Sequence, residues 1–137
     1  MTVQNPPVFL QAEAHPAEDV RRALNSVLGS EGTGAGVVAS GELAVTQSAS
    51  PAMSVLVASG RAWVTGDEAT YQGAYFVENR GSATLAIAAS DATNDRIDVI
   101  VARVKDSDYS GAEDEWELFV VEGAPASSPV VPTLPSN

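Results

Sequence analysis

The sequence predicts a mainly β domain, an antiparallel β-sandwich or barrel-like fold with one amphipathic helix near its N-terminus. Three observations lead to this prediction. From residue 37 onward, short apolar runs alternate with polar residues at the period of a strand. Glycine and proline, with 11 and 8 copies, separate these runs as turn formers. One stretch, residues 15–28, has instead the period of a helix.

The chain divides into five predicted segments. The N-terminal segment contains the Pro6-Pro7 pair, which disfavours helix and predicts an extended arm. The last contains four prolines and predicts an extended linker or a strap along a surface. The boundaries are an N-terminal arm at 1–14, a helix at 15–29, a Gly-rich linker at 30–36, a β-sandwich domain at 37–123 and a Pro-rich linker or strap at 124–137.

The helix is predicted from signals at both of its ends. Pro16 suits the first helical position, Glu18 and Asp19 favour the positive end of the helix dipole, and Gly29 ends the helix. Apolar residues recur at helical spacing and form one stripe, at Val20, Ala23, Leu24, Val27 and Leu28. We expect this stripe to pack on the sheet or, as the alternative, on a helix of another subunit.

Short strands follow the glycine-rich linker. Residues 53–66 predict a strand that Gly60 interrupts with a bulge or a sharp bend. Residues 70–77 predict another strand, which Gly73 weakens, and residues 83–88 predict a shorter one.

The stretch 94–123 predicts the hairpin around which the other strands are organised. Its two strands run from Ile97 to Val104 and from Trp116 to Glu122, and both carry apolar residues on both faces. Such strands are typically covered on both sides. Because a two-stranded hairpin is not stable alone in water, we expect the other strands to wrap it at the centre of the core.

Charge and composition exclude several classes of function. Seven Lys and Arg against 18 Asp and Glu give a net charge of -11, which disfavours binding to nucleic acid or to an anionic membrane. There is no cysteine, so disulfide frameworks and thiolate metal sites are excluded. With one histidine and no G-x-S-x-G motif, a hydrolase triad is not expected, and no cofactor is predicted.

The acidic loop of the hairpin contains one metal-site pattern. Asp106, Asp108, Ser110 and Glu117 match the spacing of a calcium loop, in which several oxygen ligands surround the ion. Such loops are flanked by helices, whereas strands flank this one, and Glu113 stands where an apolar residue is usual. The alternative is a solvated hairpin loop rich in turn formers.

Two groups of residues are candidates for subunit contacts. Val8, Phe9 and Leu10 are apolar residues of the extended arm, which packs either on its own domain or on a neighbouring subunit. Arg96 and Asp98 share one face near the start of the hairpin, where an ion pair is either structural or part of a subunit contact.

The aromatic residues allow a sugar-binding platform. Trp63, Tyr75 and Tyr109 are its candidates, although aromatic residues of a small β domain more often belong to the core or its rim. Paired carboxylates in turns also allow a glycosidase in principle, but a glycosidase needs two carboxyl groups across a cleft.

Several strings resemble a known family. MSVLVASGRAWVTG, YQGAYFVEN, ATNDRIDVIVARVKDSDYSG and WELFVVEGAPASSPVVPTLPSN, together with HPAEDVRRALNSVLG and the glycine linker, are similar to the N-terminal domain of minor tail proteins from phages of actinobacteria. The resemblance covers nearly the whole chain but contains no catalytic motif. It implies a structural virion protein of the phage tail, made in the host cytoplasm, that assembles in the tail tip or baseplate. It also implies trimers or higher homo-oligomers and contacts with other tail proteins.

Three rival functions remain beside this one. A carbohydrate- or host-receptor-binding module on the tail would use the aromatic residues to attach to a cell-surface glycan. An enzyme, for instance a glycosidase, would use the acidic residues. A homologous part of a bacterial contractile injection apparatus would have the same architecture as the phage protein.

Overall fold

The computed structural model describes residues 8–9, 11, 14–28, 35–50, 52–70, 72–109 and 113–135, and it confirms a mainly β, sandwich-like fold with one helix near the N-terminus. Every strand pair is antiparallel. The elements in chain order are α1 (Ala17–Leu28), β1 (Gly36–Val37), β2 (Val45–Gln47), β3 (Ser54–Val57), β4 (Gly60–Thr65), β5 (Ala74–Asn79), β6 (Ala83–Ala86), β7 (Val99–Lys105) and β8 (Glu115–Val121).

The strands form three small sheets. The first sheet has the order β1-β4-β5, the second has the order β2-β3-β6, and β7 and β8 form a two-stranded hairpin. The hairpin is paired along its full length, from Val99 opposite Val121 to Lys105 opposite Glu115. It is therefore a separate layer and not the centre of a larger sheet.

Gly60 marks the point at which the chain passes from one sheet to the other. The predicted strand 53–66 is divided into β3 in the second sheet and β4 in the first. A side chain at Gly60 would overlap the backbone of Leu43, so only glycine allows this close approach. The predicted sharp bend at Gly60 is confirmed.

The helix begins at Ala17, two residues after the predicted start at residue 15, and Pro16 lies just before it. The carbonyl oxygen of Pro16 accepts hydrogen bonds from the amides of Asp19 and Val20, at 3.1 and 3.4 Å. This carbonyl closes the first turn, so Pro16 flanks the helix at its N-terminal end.

The helix contacts the sheet through Arg21, and only part of its apolar stripe is covered. The Arg21 guanidinium donates from Nε to the carbonyl oxygen of Gln72, at 2.9 Å. Within the apolar stripe, Val20 and Ala23 are partly buried, whereas Leu24 is exposed and Val27 is 82% exposed. The expectation that the whole stripe packs on this chain's own sheet is therefore wrong at Leu24 and Val27.

Gly73 explains why β5 begins at Ala74 and not at residue 70. Its φ of 79° lies in the left-handed region, which favours glycine. A Cβ at this position would also lie 2.9 Å from the Cβ of Arg21. Gly73 thus allows both the turn before β5 and the close approach of the helix.

The core of the domain is small. Among the described residues, the buried apolar side chains are Val57, Ala62, Ala74 and Val77. All seven residues of β7, and all residues of β8 after Glu115, are partly exposed. The hairpin was predicted to be covered on both faces, and in the single chain both faces of its strands are covered in large part but not completely.

Candidate assembly surfaces

The C-terminal segment leaves the domain at a fixed point, which we call the strap anchor and define by Arg96, Asp98 and Gly123. The Arg96 guanidinium donates to both carboxylate oxygens of Asp98, at 2.8 and 3.1 Å, and the amide of Gly123 donates to the same carboxylate at 2.9 Å. Arg96 also donates to the carbonyl oxygens of Ala88 and Ala89. The two candidate contact residues therefore join three segments of one chain.

Electrostatics holds the strap anchor in its charged form. The hydrogen bonds from Arg96 lower the pKa of the Asp98 carboxyl, and the bond from the Gly123 amide acts in the same direction. The pKa of Arg96 is raised by the same pair. Three residues further along, the amide of Ala126 donates to the carbonyl oxygen of Asp95 at 3.1 Å, which extends the attachment.

Beyond the anchor lies a segment that we call the strap, residues 126–135, which bends at Ser127 and Ser128 and has no helix or strand from Pro129 onward. Its burial has a period of three, because Ala126, Pro129 and Pro132 are partly buried while the two residues after each of them are exposed. A period of three residues is that of a polyproline II helix. Val131 and Leu134 are 65% and 54% exposed and share one ridge of that period.

Two clefts open at the surface beside the hairpin. The first, of about 310 Å³, is lined mainly by apolar residues of β4, β7 and β8, among them Ala62, Ile100 and Leu118. The second, of about 350 Å³, we call the aromatic cleft and define by Tyr75, Val77, Val104 and Trp116. Protein interiors are close-packed, so apolar clefts of this size mark layers that the chain does not fill.

Charged residues surround the aromatic cleft. Lys105, Asp106, Asp114 and Glu115 line it together with the apolar residues. The Lys105 ammonium donates to Glu113 and Glu115, both at 2.7 Å, and these bonds raise the pKa of Lys105. The rim contains more carboxylates than cations, so an anionic ligand would be repelled.

A polar junction connects the helix to the aromatic cleft. The Arg21 guanidinium lies 4.5 Å from the ring centroid of Tyr75 and 5.9 Å from that of Tyr109. The Tyr75 hydroxyl donates to Asp106 at 2.7 Å, and the Tyr109 hydroxyl donates to Glu18 at 2.9 Å. Burial, and next the bond to Asp106, raises the pKa of Tyr75 to about 12.

The residues of the calcium pattern are engaged in other contacts. The carboxylate of Asp106 accepts from Tyr75 and from the amide of Asp108, while Glu117 accepts from Arg103. Ser110 lies outside the described residues. Within the described part of the chain, no group of three or more acidic or histidine side chains is placed to hold a metal ion.

The three aromatic candidates for a sugar platform do not share a surface. The Trp63 ring packs edge-on against Phe76, with ring centroids 5.3 Å apart. Tyr75 precedes Phe76 in β5, so its side chain points to the opposite face of the sheet. Tyr109 lies with Tyr75 around Arg21.

The described part of the N-terminal arm exposes apolar surface. Phe9 is 74% exposed and Val8 is partly exposed, whereas Leu10 lies outside the described residues. The contact that these residues make with a neighbouring subunit stays a prediction.

Sequence reasoning identified the strap and Arg96–Asp98 separately but missed the connection between them. It also missed the aromatic cleft, because residues of β5 and of the hairpin become neighbours only in the folded chain. The spacing of Pro129, Pro132 and Pro135, with two residues between successive prolines, is visible in the sequence and is the signal for the strap's period.

Comparisons with protein-family models, with curated proteins and with solved structures gave no match for this chain. In the described part of the chain, no helix combines the length and the apolar character that crossing a membrane requires.

Proposed function

We propose that this chain is a non-catalytic assembly module that functions as a homo-oligomer. The proposal rests on one observation, the apolar layer that the single chain leaves incompletely covered. None of the strand residues of β7 and β8 is fully buried, and two open clefts lie beside them. A second copy that packs on this layer would complete the core.

The surface area of the chain supports the proposal. The chain exposes 9084 Å², whereas a globular monomer of 14.1 kDa is expected to expose about 6,700 Å². Specific interfaces bury about 800 Å² of each partner, an area that the exposed surface of the chain can accommodate. The described residues that expose large apolar side chains include Leu24, Val27, Val45, Met53, Phe76, Val130, Val131 and Leu134.

The outer face of the hairpin is a second candidate for an interface. Val99, Val101, Phe119 and Val121 share this face, because directly opposite residues of an antiparallel pair point the same way. Beside them, Arg103 donates to Glu117 and lies 4.6 Å from the ring centroid of Phe119. An apolar patch bordered by paired charges is the composition of an interface core and its rim.

The resemblance of the strings to minor tail proteins supports a more specific proposal. In that proposal the oligomer is a structural part of a phage tail, an adaptor of the tail tip or baseplate. Detection of the chain by mass spectrometry in purified tailed particles would support it. Purified particles that lack the chain, from cells that contain it, would contradict it.

Carbohydrate or host-receptor binding has less support as the main function. Tyr75 and Tyr109 already enclose Arg21, and their hydroxyl groups donate to carboxylates of the same chain. Binding of cell-wall glycan by the whole protein, if it were lost in Trp63→Ala, would favour this alternative.

Sedimentation velocity of the purified full chain tests self-association directly. We expect a species whose mass is a multiple of 14.1 kDa. A monomer over a hundredfold range of concentration, up to about 0.1 mM, would refute the assembly function, because structural assemblies require stable interfaces.

A further inference from the structure

We propose that the strap of one copy docks in the aromatic cleft of a second copy. The inference rests on the proposed self-association and names the contact that carries it. Its residues are the exposed ridge of Val131 and Leu134 on one copy, and Tyr75 and Trp116 on the other.

The strap has the properties of a ligand for an aromatic cleft. Its prolines stand at 129, 132 and 135, the P-x-x-P-x-x-P spacing that places every third residue on one ridge. Extended proline segments lose little conformational entropy on binding and dock in aromatic-lined grooves. Val131 and Leu134, on a separate ridge, are the largest exposed apolar side chains that can enter such a groove together.

The cleft has the properties of a receptor for such a segment. It is a shallow depression of about 350 Å³ that is open to solvent, a shape that an extended segment can lie across. Trp116 supplies the aromatic wall and Val77 and Val104 supply apolar contact beside it, while Tyr75, whose ring is contacted by Arg21, also lines the cleft.

Charge favours the strap as the occupant. Residues 123–137 contain no charged side chain, in a chain whose net charge is -11. The rim of the cleft includes Asp106, Asp114 and Glu115. An uncharged extended segment can pass this rim without the repulsion that an acidic segment of another copy would meet.

The geometry of the single chain points to a second copy. In its own chain the strap lies with Pro129 and Pro132 towards the domain, and none of its residues lines the aromatic cleft. The strap anchor fixes the exit of the strap at Gly123. From Pro129 to Pro135 the strap spans about 19 Å at the rise of a polyproline II helix.

Cysteine trapping tests the contact, since the chain contains no cysteine. One full-length variant carries Leu134→Cys in the strap, and another carries Glu115→Cys at the rim of the cleft. After the two are mixed and oxidised, we expect a disulfide-linked heterodimer. A matched mixture, in which Ser82→Cys replaces Glu115→Cys, supplies an exposed thiol that does not line the cleft. Equal yields from the two mixtures would overturn the inference.

A charge-matched pair of variants separates the inference from the proposed function. Val131→Asp with Leu134→Asp places two charges on the exposed ridge, and Ser127→Asp with Ser128→Asp places the same charges near the anchor. We expect the first variant to weaken self-association at least about tenfold and the second to leave it nearly unchanged. If the wild type is oligomeric and both variants associate equally well, the strap contact is refuted while the assembly function stands.

The N-terminal arm is the competing occupant, and Phe9→Asp tests it. If this change dissociates the oligomer and the strap variant does not, the arm carries the contact and the inference is overturned. If the wild type is a monomer, the assembly function is refuted. In that case, a disulfide that forms selectively between Leu134→Cys and Glu115→Cys would still support docking of the strap. If no selective disulfide formed, the docking of the strap would be refuted as well.

Discussion

Gly123 is the residue on which the path of the strap depends. It is buried, its amide donates to Asp98, and a Cβ at this position would overlap the carbonyl oxygen of Ile97. No φ in the left-handed region is involved, so the requirement for glycine comes from the close approach of two backbones.

Replacing Gly123 with alanine should therefore destabilise the domain. We expect Gly123→Ala to lower the free energy of unfolding in urea by about 1–3 kcal/mol, because the added methyl group forces the strap away from Ile97. Gly81→Ala is the matched control, since a Cβ there has no atom within 4 Å. Equal effects of the two substitutions would contradict the described packing at the anchor.

Arg21 should contribute more to stability than an exposed arginine. Arg21→Met keeps much of the side chain's length but removes the bond to the Gln72 carbonyl and the charge between the rings of Tyr75 and Tyr109. We expect a loss of about 1–2 kcal/mol in the free energy of unfolding and faster amide hydrogen exchange in α1. Arg80→Met, at a side chain that is 85% exposed, should change neither quantity measurably. Unchanged exchange in α1 for Arg21→Met would show that the helix is held by other contacts.

The sequence could not predict the junction around Arg21. The bond from Arg21 to Gln72 joins residues 51 positions apart, and its contact with Tyr109 joins residues 88 positions apart. A sequence pattern reports periodicity within a short window, and contacts between residues this far apart do not affect that periodicity. Gly60 and Gly73 could be identified as interruptions in strands because a missing side chain is itself a local signal.

At the scale of elements, the helix shows how a correct assignment can give a wrong packing direction. Helical spacing predicts that α1 is amphipathic, and that local property is fixed by the sequence. Which side faces the sheet depends on partners far along the chain. Here the contacts of the helix with Gln72, Tyr75 and Tyr109 are made by the polar residue Arg21, while the apolar residues Leu24 and Val27 are exposed.

The charged end of the hairpin gives a prediction for acidic pH. The pKa of Glu117 is lowered, first by its hydrogen bonds from Arg103 and also by Lys105. A lowered carboxyl pKa stabilises the folded state above the unfolded pKa of about 4.5, and that contribution is lost as the pH falls through the folded pKa. The free energy of unfolding should thus fall more steeply below pH 4.5 in the wild type than in Glu117→Gln.

Urea unfolding at a series of pH values from 7 to 3 measures this difference. Asp67→Asn removes an exposed carboxylate and serves as the control for the change in net charge. If the wild type and Glu117→Gln have parallel pH profiles, the pair between Arg103 and Glu117 does not contribute to the stability of the hairpin.

At the scale of the whole molecule, composition and periodicity predicted the fold class but not the way in which the layers meet. Alternating runs and turn residues were enough for a mainly β, sandwich-like domain, which is confirmed. The same pattern also predicted a hairpin covered on both faces, because apolar residues on both faces require cover. In the single chain that cover is incomplete, and the proposed assembly rests on this difference.

The dependence of stability on protein concentration tests most directly whether assembly completes the core. When folding is linked to association, the melting temperature of the full chain rises with its concentration. We predict such a rise over a hundredfold range, equivalent to a gain of up to about 2.7 kcal/mol per chain in the free energy of unfolding. A melting temperature that is the same throughout this range would contradict the account, because the single chain would then be complete without a partner.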